Sequence, residues 1–242
     1  MRSKTYFRWL FPLLLIIITA YYLNTFLITI LDFKDYHEIF ISYSEKSGSP
    51  VGGGKAYNNY VSNETYYVAN KKEFLEVLKK LNGTEVIYIA DTAKINLSSE
   101  QNIRIPENVT IASGRGLNSS LGGLIFSNNV DHNTLFAVTG SNVRFTGLRI
   151  FGPDTLIGDS AYQTNISHGI ACSVNNLEVD NCELKGWTHA AILLLNGAAN
   201  AYIHHNYIHH NRRKGLGYGV CVGFGNTNAL IEANLFDWNR HD

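Results

Sequence analysis

Four stretches of this 242-residue chain fall on one template that neither a single strand nor a helix satisfies. They are Asn142-Val-Arg-Phe-Thr-Gly-Leu-Arg-Ile-Phe-Gly152, Asn176-Leu-Glu-Val-Asp-Asn-Cys-Glu-Leu-Lys-Gly186, Asn200-Ala-Tyr-Ile-His-His-Asn-Tyr-Ile-His-His210 and Asn228-Ala-Leu-Ile-Glu-Ala-Asn-Leu-Phe-Asp-Trp238. A half-copy begins at Asn108-Val109-Thr110-Ile111. Counted from the leading Asn, positions +1 and +3 are apolar, and +6 and +8 are apolar or Asn. Within each pair the period is two, that of a strand. Between the pairs the parity flips, and a straight strand cannot flip parity while keeping one face buried. The chain must turn a corner near +4 and +5.

A third strand precedes each Asn, at Leu135–Val138, Ile170–Val174, Ala191–Leu195 and Gly219–Phe224. Three short strands per turn, repeated, predict an all-β chain wound as a right-handed parallel β-helix. The leading Asn residues lie 34, 34, 24 and 28 residues apart. The shortest spacing is one bare coil, and the longer ones carry corner insertions. Asn206 and Asn234 share the +6 slot, where inward amides can satisfy backbone groups that a corner strands. Before the coils, Asn70 is placed to cap a helix carrying Phe74, Leu75, Leu78 and Leu81 on one face, with Gly83 ending it, and Val86–Ile89 follows as a strand. That helix is expected to cover the N-terminal end of the core.

The N-terminus has a different character. Trp9 to Leu31 contains no charged residue and, at about 1.5 Å per residue, is long enough to span a bilayer core. Arg2, Lys4 and Arg8 precede it, so the positive-inside bias predicts a cytoplasmic N-terminus and an extracytoplasmic remainder. An uncleaved single-pass anchor is the favoured expectation, with a cleaved signal peptide as the alternative. The expected division is a stub and anchor over 1–35, a Gly/Ser-containing spacer over 36–66, and a β-helix domain over 67–242. At the far end Arg240-His241-Asp242 looks like the start of another coil, which predicts that the domain is open there and that coils follow. Six Asn-x-Ser/Thr sequons, at Asn63, Asn82, Asn96, Asn108, Asn118 and Asn165, suit an outward-facing chain.

Residues 51–242 resemble the pectate lyase superfamily. The resemblance rests on Gly52-Gly53-Gly54, the tyrosine-valine strand at 66–68, the capping helix and the repeats. Within them, Val179-Asp180-Asn181-Cys182 is similar to that family's Ile-Asp-His-Cys signature, with Asn in place of His. The resemblance implies a surface that cleaves, epimerises or only binds glycans, often uronates, in a groove along the first sheet. It also implies, in calcium-dependent members, acidic residues on that sheet. Here the corresponding strands begin His168-Gly169-Ile170, His189-Ala190-Ala191 and Tyr218-Gly219-Val220. Their outward positions, Ala171, Ser173, Leu193, Leu195, Cys221 and Gly223, include no carboxylate. A hard-cation site of the usual kind is not expected, nor any other metal or cofactor.

What remains is a column at the corner before those strands: His168, His189, Tyr218 and His241, the candidate acid–base groups. Trp187, Arg212, Arg213, Lys214, Arg240 and Asp242 stand beside them as candidate substrate-binding residues, rings to stack on sugars and guanidiniums to clamp carboxylates. The plainer alternative is that all are corner and loop residues satisfied by backbone or water. A second histidine set, His204 in a column with Asp180 and Glu232 and His209 with Lys185 and Asp237, predicts cross-coil pairing rather than a metal site. Zero net charge and a pI near 7.1 give no basic field for nucleic acid, and Arg212-Arg213-Lys214 is too short to supply one. Cys172, Cys182 and Cys221 are read as buried thiols, not a disulfide framework. Two function classes stand: a membrane-anchored glycan-active enzyme lacking the calcium carboxylates, and a non-catalytic structural or glycan-binding module of the cell envelope.

Overall fold

The structure, a computed structural model, describes residues 50–131, 133–154, 165–223 and 225–242. The expected membrane anchor at 9–31 and residues 36–49 of the expected spacer lie outside them. No helix among the described residues is long and apolar enough to cross a bilayer.

In chain order the elements are β1 (Tyr66–Val68), α1 (Lys71–Leu78), β2 (Val86–Ile89), β3 (Lys94–Asn96), β4 (Ile103–Ile105), β5 (Thr110–Ala112) and β6 (Leu124–Phe126). Then come β7 (Thr134–Val138), β8 (Arg144–Thr146), β9 (Arg149–Phe151), β10 (His168–Cys172), β11 (Glu178–Asp180) and β12 (Glu183–Lys185). The last are β13 (Ala190–Leu194), β14 (Ala201–His204), β15 (Tyr207–His209), β16 (Tyr218–Val222), β17 (Ala229–Glu232) and β18 (Leu235–Asp237). They form three parallel sheets, as the repeat predicts. Sheet A runs β1-β2-β5-β8-β11-β14-β17, sheet B runs β18-β15-β12-β9-β6-β3, and sheet C runs β16-β13-β10-β7-β4. Successive strands of one coil thus belong to different sheets, the connectivity of a parallel β-helix.

Register explains the core. On sheet A, Ile87, Ile111, Phe145, Val179 and Ile203 are successive partners. On sheet B the matching column is Ile95, Ile125, Ile150, Leu184 and Ile208. Sheet C contributes Phe136, Ile170, Ile192 and Val220. All are buried in one apolar cluster, each worth roughly 1.5–3 kcal/mol against exposure. The helix α1 adds Phe74, whose ring meets Phe136 edge-on at 6.3 Å between centroids. Its N-cap is Asn70, whose side chain accepts from the Glu73 N–H at 3.0 Å. The helix ends at Leu78, short of the expected Gly83, because the Glu85 carboxylate takes the N–H groups of Asn82, Gly83 and Thr84 for a turn instead.

The parity flip has a backbone cause. The +5 residues Gly147, Asn181, His205 and Ala233 all have positive φ, between 52° and 67°. A single left-handed residue swings the next strand onto the adjacent face. The +6 amides fall inside that bend. Asn206 Nδ2 donates to Val179 O at 2.7 Å and Asn234 Oδ1 at 3.0 Å, while its Oδ1 accepts from the Cys182 N–H at 2.8 Å. A second inward pair, Asn211 and Asn239, does the same at the following corner, with 2.8 Å between Asn211 Nδ2 and Asn239 Oδ1. The leading Asn residues form a third, outward ladder: Asn142 Nδ2 donates to Asn108 Oδ1 at 2.9 Å, and Asn176 Nδ2 to Asn142 Oδ1 at 2.8 Å.

The described part of the expected spacer is not detached from the coils. Residues 50–60 lie along the corner between sheets A and B. Gly52 N–H donates to Ala233 O at 2.8 Å, Gly54 N–H to Asn181 Oδ1 at 2.7 Å, and Arg115 Nη1 to Gly52 O at 2.9 Å. A Cβ on Gly53 would fall 2.3 Å from His205 O, so the glycine run serves close approach rather than flexibility.

Candidate functional site

The predicted ring column is present, and strand register builds it. Thr134, His168, Ala190 and Tyr218 are successive partners at the head of sheet C, and Tyr218 bridges to His241. His189, one residue before Ala190, places its ring between those of His168 and Tyr218. Ring centroids are 4.7 Å apart for His168–His189, 5.9 Å for His189–Tyr218 and 4.8 Å for Tyr218–His241.

His168 is almost fully buried and is linked at both nitrogens. Nδ1 lies 3.1 Å from Thr134 Oγ1, and Nε2 lies 2.6 Å from His189 Nδ1. Burial, and then the neighbouring His189, push the His168 pKa down to about 4. Burial and the Arg213 charge lower that of His189 as well. Both rings are therefore neutral near pH 7, and the chain Thr134–His168–His189 can run in either donor direction. In one direction His189 offers an N–H at Nε2; in the other it offers a lone pair. Such a pair can give or take a proton without holding net charge.

The flanking residues divide. Arg213 is beside His189 and bears on its charge. Its Nε and Nη1, and Nε of Arg212, are buried and make no hydrogen bond among the described residues. Arg212 bears on His210 instead. Lys214, Arg240 and Asp242 are exposed, and Asp242 Oδ1 accepts from Asn239 Nδ2 at 2.9 Å. Trp187 departs from expectation. It is 0% exposed, with Nε1 donating to Ile150 O at 3.3 Å and its ring packed where any Cβ on Gly169 would clash, so no face is left for a sugar. Position beside the column does not reveal side-chain direction, and this indole points inward.

The outward column of sheet C runs Arg104, Ala137, Ala171, Leu193 and Cys221. It carries no carboxylate.

A second polar constellation on sheet A was only partly legible. Asp180 is 0% exposed and is saturated: Arg144 donates from Nε to Oδ1 and from Nη2 to Oδ2, both at 2.8 Å, Thr146 Oγ1 donates at 2.8 Å, and the Tyr57 hydroxyl donates as well. Burial, and beyond it the Asp180 carboxylate, push the Tyr57 phenol up, so it remains a donor. Tyr57 comes from the segment read as a spacer, and no local pattern marks it.

The predicted histidine columns exist in register, Asp180–His204–Glu232 and Lys185–His209–Asp237. Their expected pairings do not form. His204 Nε2 reaches Glu178 Oε1 and His209 Nε2 reaches Glu183 Oε1, both at 3.2 Å. The cause is stacking. Tyr202 lies on His204 at 3.8 Å and Tyr207 on His209 at 3.9 Å, laying each imidazole back along its strand. The tyrosine hydroxyls then take the carboxylates ahead, Glu232 at 2.6 Å and Asp237 at 3.1 Å. Glu178, Asp180 and His204 offer ligand atoms within 4.8 Å of one another, but Arg144 and the other donors already occupy the two carboxylates.

Comparison with protein-family models, with curated proteins and with solved structures finds no match to this chain.

Proposed function

We propose that this chain is a membrane-anchored, right-handed β-helix of pectate lyase type whose outward-facing domain binds an extracellular, carboxylate-bearing glycan. The observation that carries the proposal is Arg213. Its buried Nε and Nη1 make no hydrogen bond among the described residues, and its charge bears on His189 in the continuous ring column His168, His189, Tyr218 and His241. A guanidinium whose donors the protein leaves unmatched is the counterpart of a uronate carboxylate, while the neighbouring rings supply faces for pyranose stacking. The neutral His168–His189 pair adds the means to move a proton near pH 7.

A non-catalytic role is favoured by the outward face of sheet C, where Ala137, Ala171, Leu193 and Cys221 supply no group that acidifies a uronate carbon. The two readings share the ligand and part on turnover.

The full chain in detergent is to be titrated with polyuronates and with neutral polysaccharides, while ultraviolet absorbance follows unsaturated products. Polyuronate binding that survives a calcium chelator and weakens at least about tenfold in Arg213→Gln and Tyr218→Ala is expected. Equal binding of neutral and anionic polymers, or no effect of Arg213→Gln, overturns the proposal. Unsaturated product in chelator assigns a lyase; binding without product assigns the module.

A further inference from the structure

The coil that crosses β14 and β15 contains the same pentapeptide twice, Tyr202-Ile-His-His-Asn206 and Tyr207-Ile-His-His-Asn211. The two copies lie on different sheets and share the contacts of tyrosine with first histidine and of first histidine with second. In each, the first histidine is stacked on the tyrosine and points Nε2 at a glutamate of the preceding coil, at 3.2 Å in both. In each, the second histidine occupies the left-handed corner, with φ of 55° at His205 and 56° at His210. That conformation is unfavourable for histidine by roughly 1–2 kcal/mol. It turns the second ring back so that Nδ1 faces Nδ1: His204 to His205 and His209 to His210 are both 2.7 Å apart.

We infer that these two histidine doublets are paired binding sites for a borderline divalent transition ion such as Cu²⁺, Ni²⁺ or Zn²⁺, each ion held by the two facing Nδ1 atoms. Three features support this. The glutamate accepts from Nε2–H of the first histidine, which leaves Nδ1 of that ring as the lone pair; a carboxylate behind an imidazole is the usual support of a metal-ligating histidine. Two imidazole nitrogens on one ion, at about 2.0–2.1 Å each, stand about 2.9–3.3 Å apart, so the nitrogens separate by only a few tenths of an ångström while each ring swings to aim its lone pair at the ion. The doublet appears twice, on two sheets, with the same Nδ1–Nδ1 approach, so the arrangement does not depend on one sheet's surroundings.

Proton bookkeeping closes without an acid or base. Before binding, the second histidine donates Nδ1–H to the first; on binding, that proton moves to its own Nε2, both rings stay neutral, and the ion gains two lone pairs. Glu178 and Glu183 are positioning residues, since they act through the histidines. Nitrogen-only donors exclude Ca²⁺ and Mg²⁺ as occupants. The carboxylates of Asp180 and Glu178 are not part of the donor set, because Arg144 holds them.

The test titrates the metal-free full chain with Cu²⁺ by calorimetry and by visible absorption, with Ni²⁺ and Zn²⁺ as alternates. Two equivalents are expected. His205→Asn and His210→Asn keep a side chain that tolerates the left-handed corner and should each lose one equivalent, the double variant both. Glu183→Gln should keep two equivalents but weaken one about 10–100-fold. His189→Ala, which alters only the ring column, should leave both. Melting curves of each variant without metal separate lost binding from lost fold. Equal uptake by wild type and a folded double variant, loss of an equivalent in His189→Ala, or displacement by equimolar Ca²⁺ would each overturn the inference.

Discussion

Arg144 grips Asp180 through two parallel hydrogen bonds of 2.8 Å, one coil reaching the next, with the carboxylate fully enclosed. Such a pair adds little over an apolar replacement of both residues, yet breaking it leaves an uncompensated charge. Asp180→Ala should therefore cost on the order of 3–5 kcal/mol in denaturant unfolding. The double variant Arg144→Leu/Asp180→Leu should recover much of that. A single-variant loss below about 1 kcal/mol would show that the pair is solvated in practice.

Acid should weaken the fold through the ring column. The folded-state pKa of His168 lies at about 4, below its ordinary value of 6.5, so the unfolded chain takes up a proton over that range before the folded chain does. Its contribution is fully present above about pH 6.5 and is lost as pH falls toward the folded value, a term on the order of 2 kcal/mol. Unfolding curves at pH 7 and pH 4.5 should differ more in wild type than in His168→Gln. Equal pH dependence in the two proteins would remove His168 as the source.

The inward and outward asparagines should respond differently. Asn206→Leu strands the Cys182 N–H and the Val179 carbonyl, which predicts a loss of about 1–3 kcal/mol. Asn142→Gly keeps the left-handed corner and removes only an exposed amide rung, so its effect should stay within about 0.5 kcal/mol. Thermal melting of both variants measures the contrast. A larger loss for Asn142→Gly would reverse the roles assigned to the ladders.

The parallel coils and their corners were legible because they repeat. Parity flips between Phe145 and Leu148, or between Val179 and Cys182, because the residue at +5 is left-handed, and that backbone demand is written into every copy. The ring column was legible for the same reason: His168 and Tyr218 occupy matching registers. Trp187 was misjudged because alternation fails at the loop before a strand, where no neighbour fixes which way an indole turns. Tyr57 was not visible at all; its partner Asp180 lies 123 residues away. The histidine pairings were displaced because a stacking tyrosine competes for the same carboxylates, a side-chain choice that strand register does not decide.

Gly53→Ala should lift the segment it anchors. Its Cβ would meet His205 O at 2.3 Å at a residue with a φ of 69°, and both penalties act together. A loss of about 1–3 kcal/mol is expected, with faster exchange of the Gly52 and Gly54 amides. Unchanged exchange at those amides would mean that the segment accommodates the methyl group and keeps its bonds.

That segment has a consequence for how the coils come apart. A stack of repeats in which each touches only its neighbours behaves as a one-dimensional array, able to fray from an end one unit at a time. Residues 50–59 bind Ala233, Asn181, Arg115, Asp180 and Arg144, which belong to coils that do not all adjoin. Opening the last of those coils breaks the Gly52–Ala233 bond and loosens the end of a segment that the earlier ones also hold. The array thereby acquires a long-range coupling, and the loss of one distant unit is felt across several others at once.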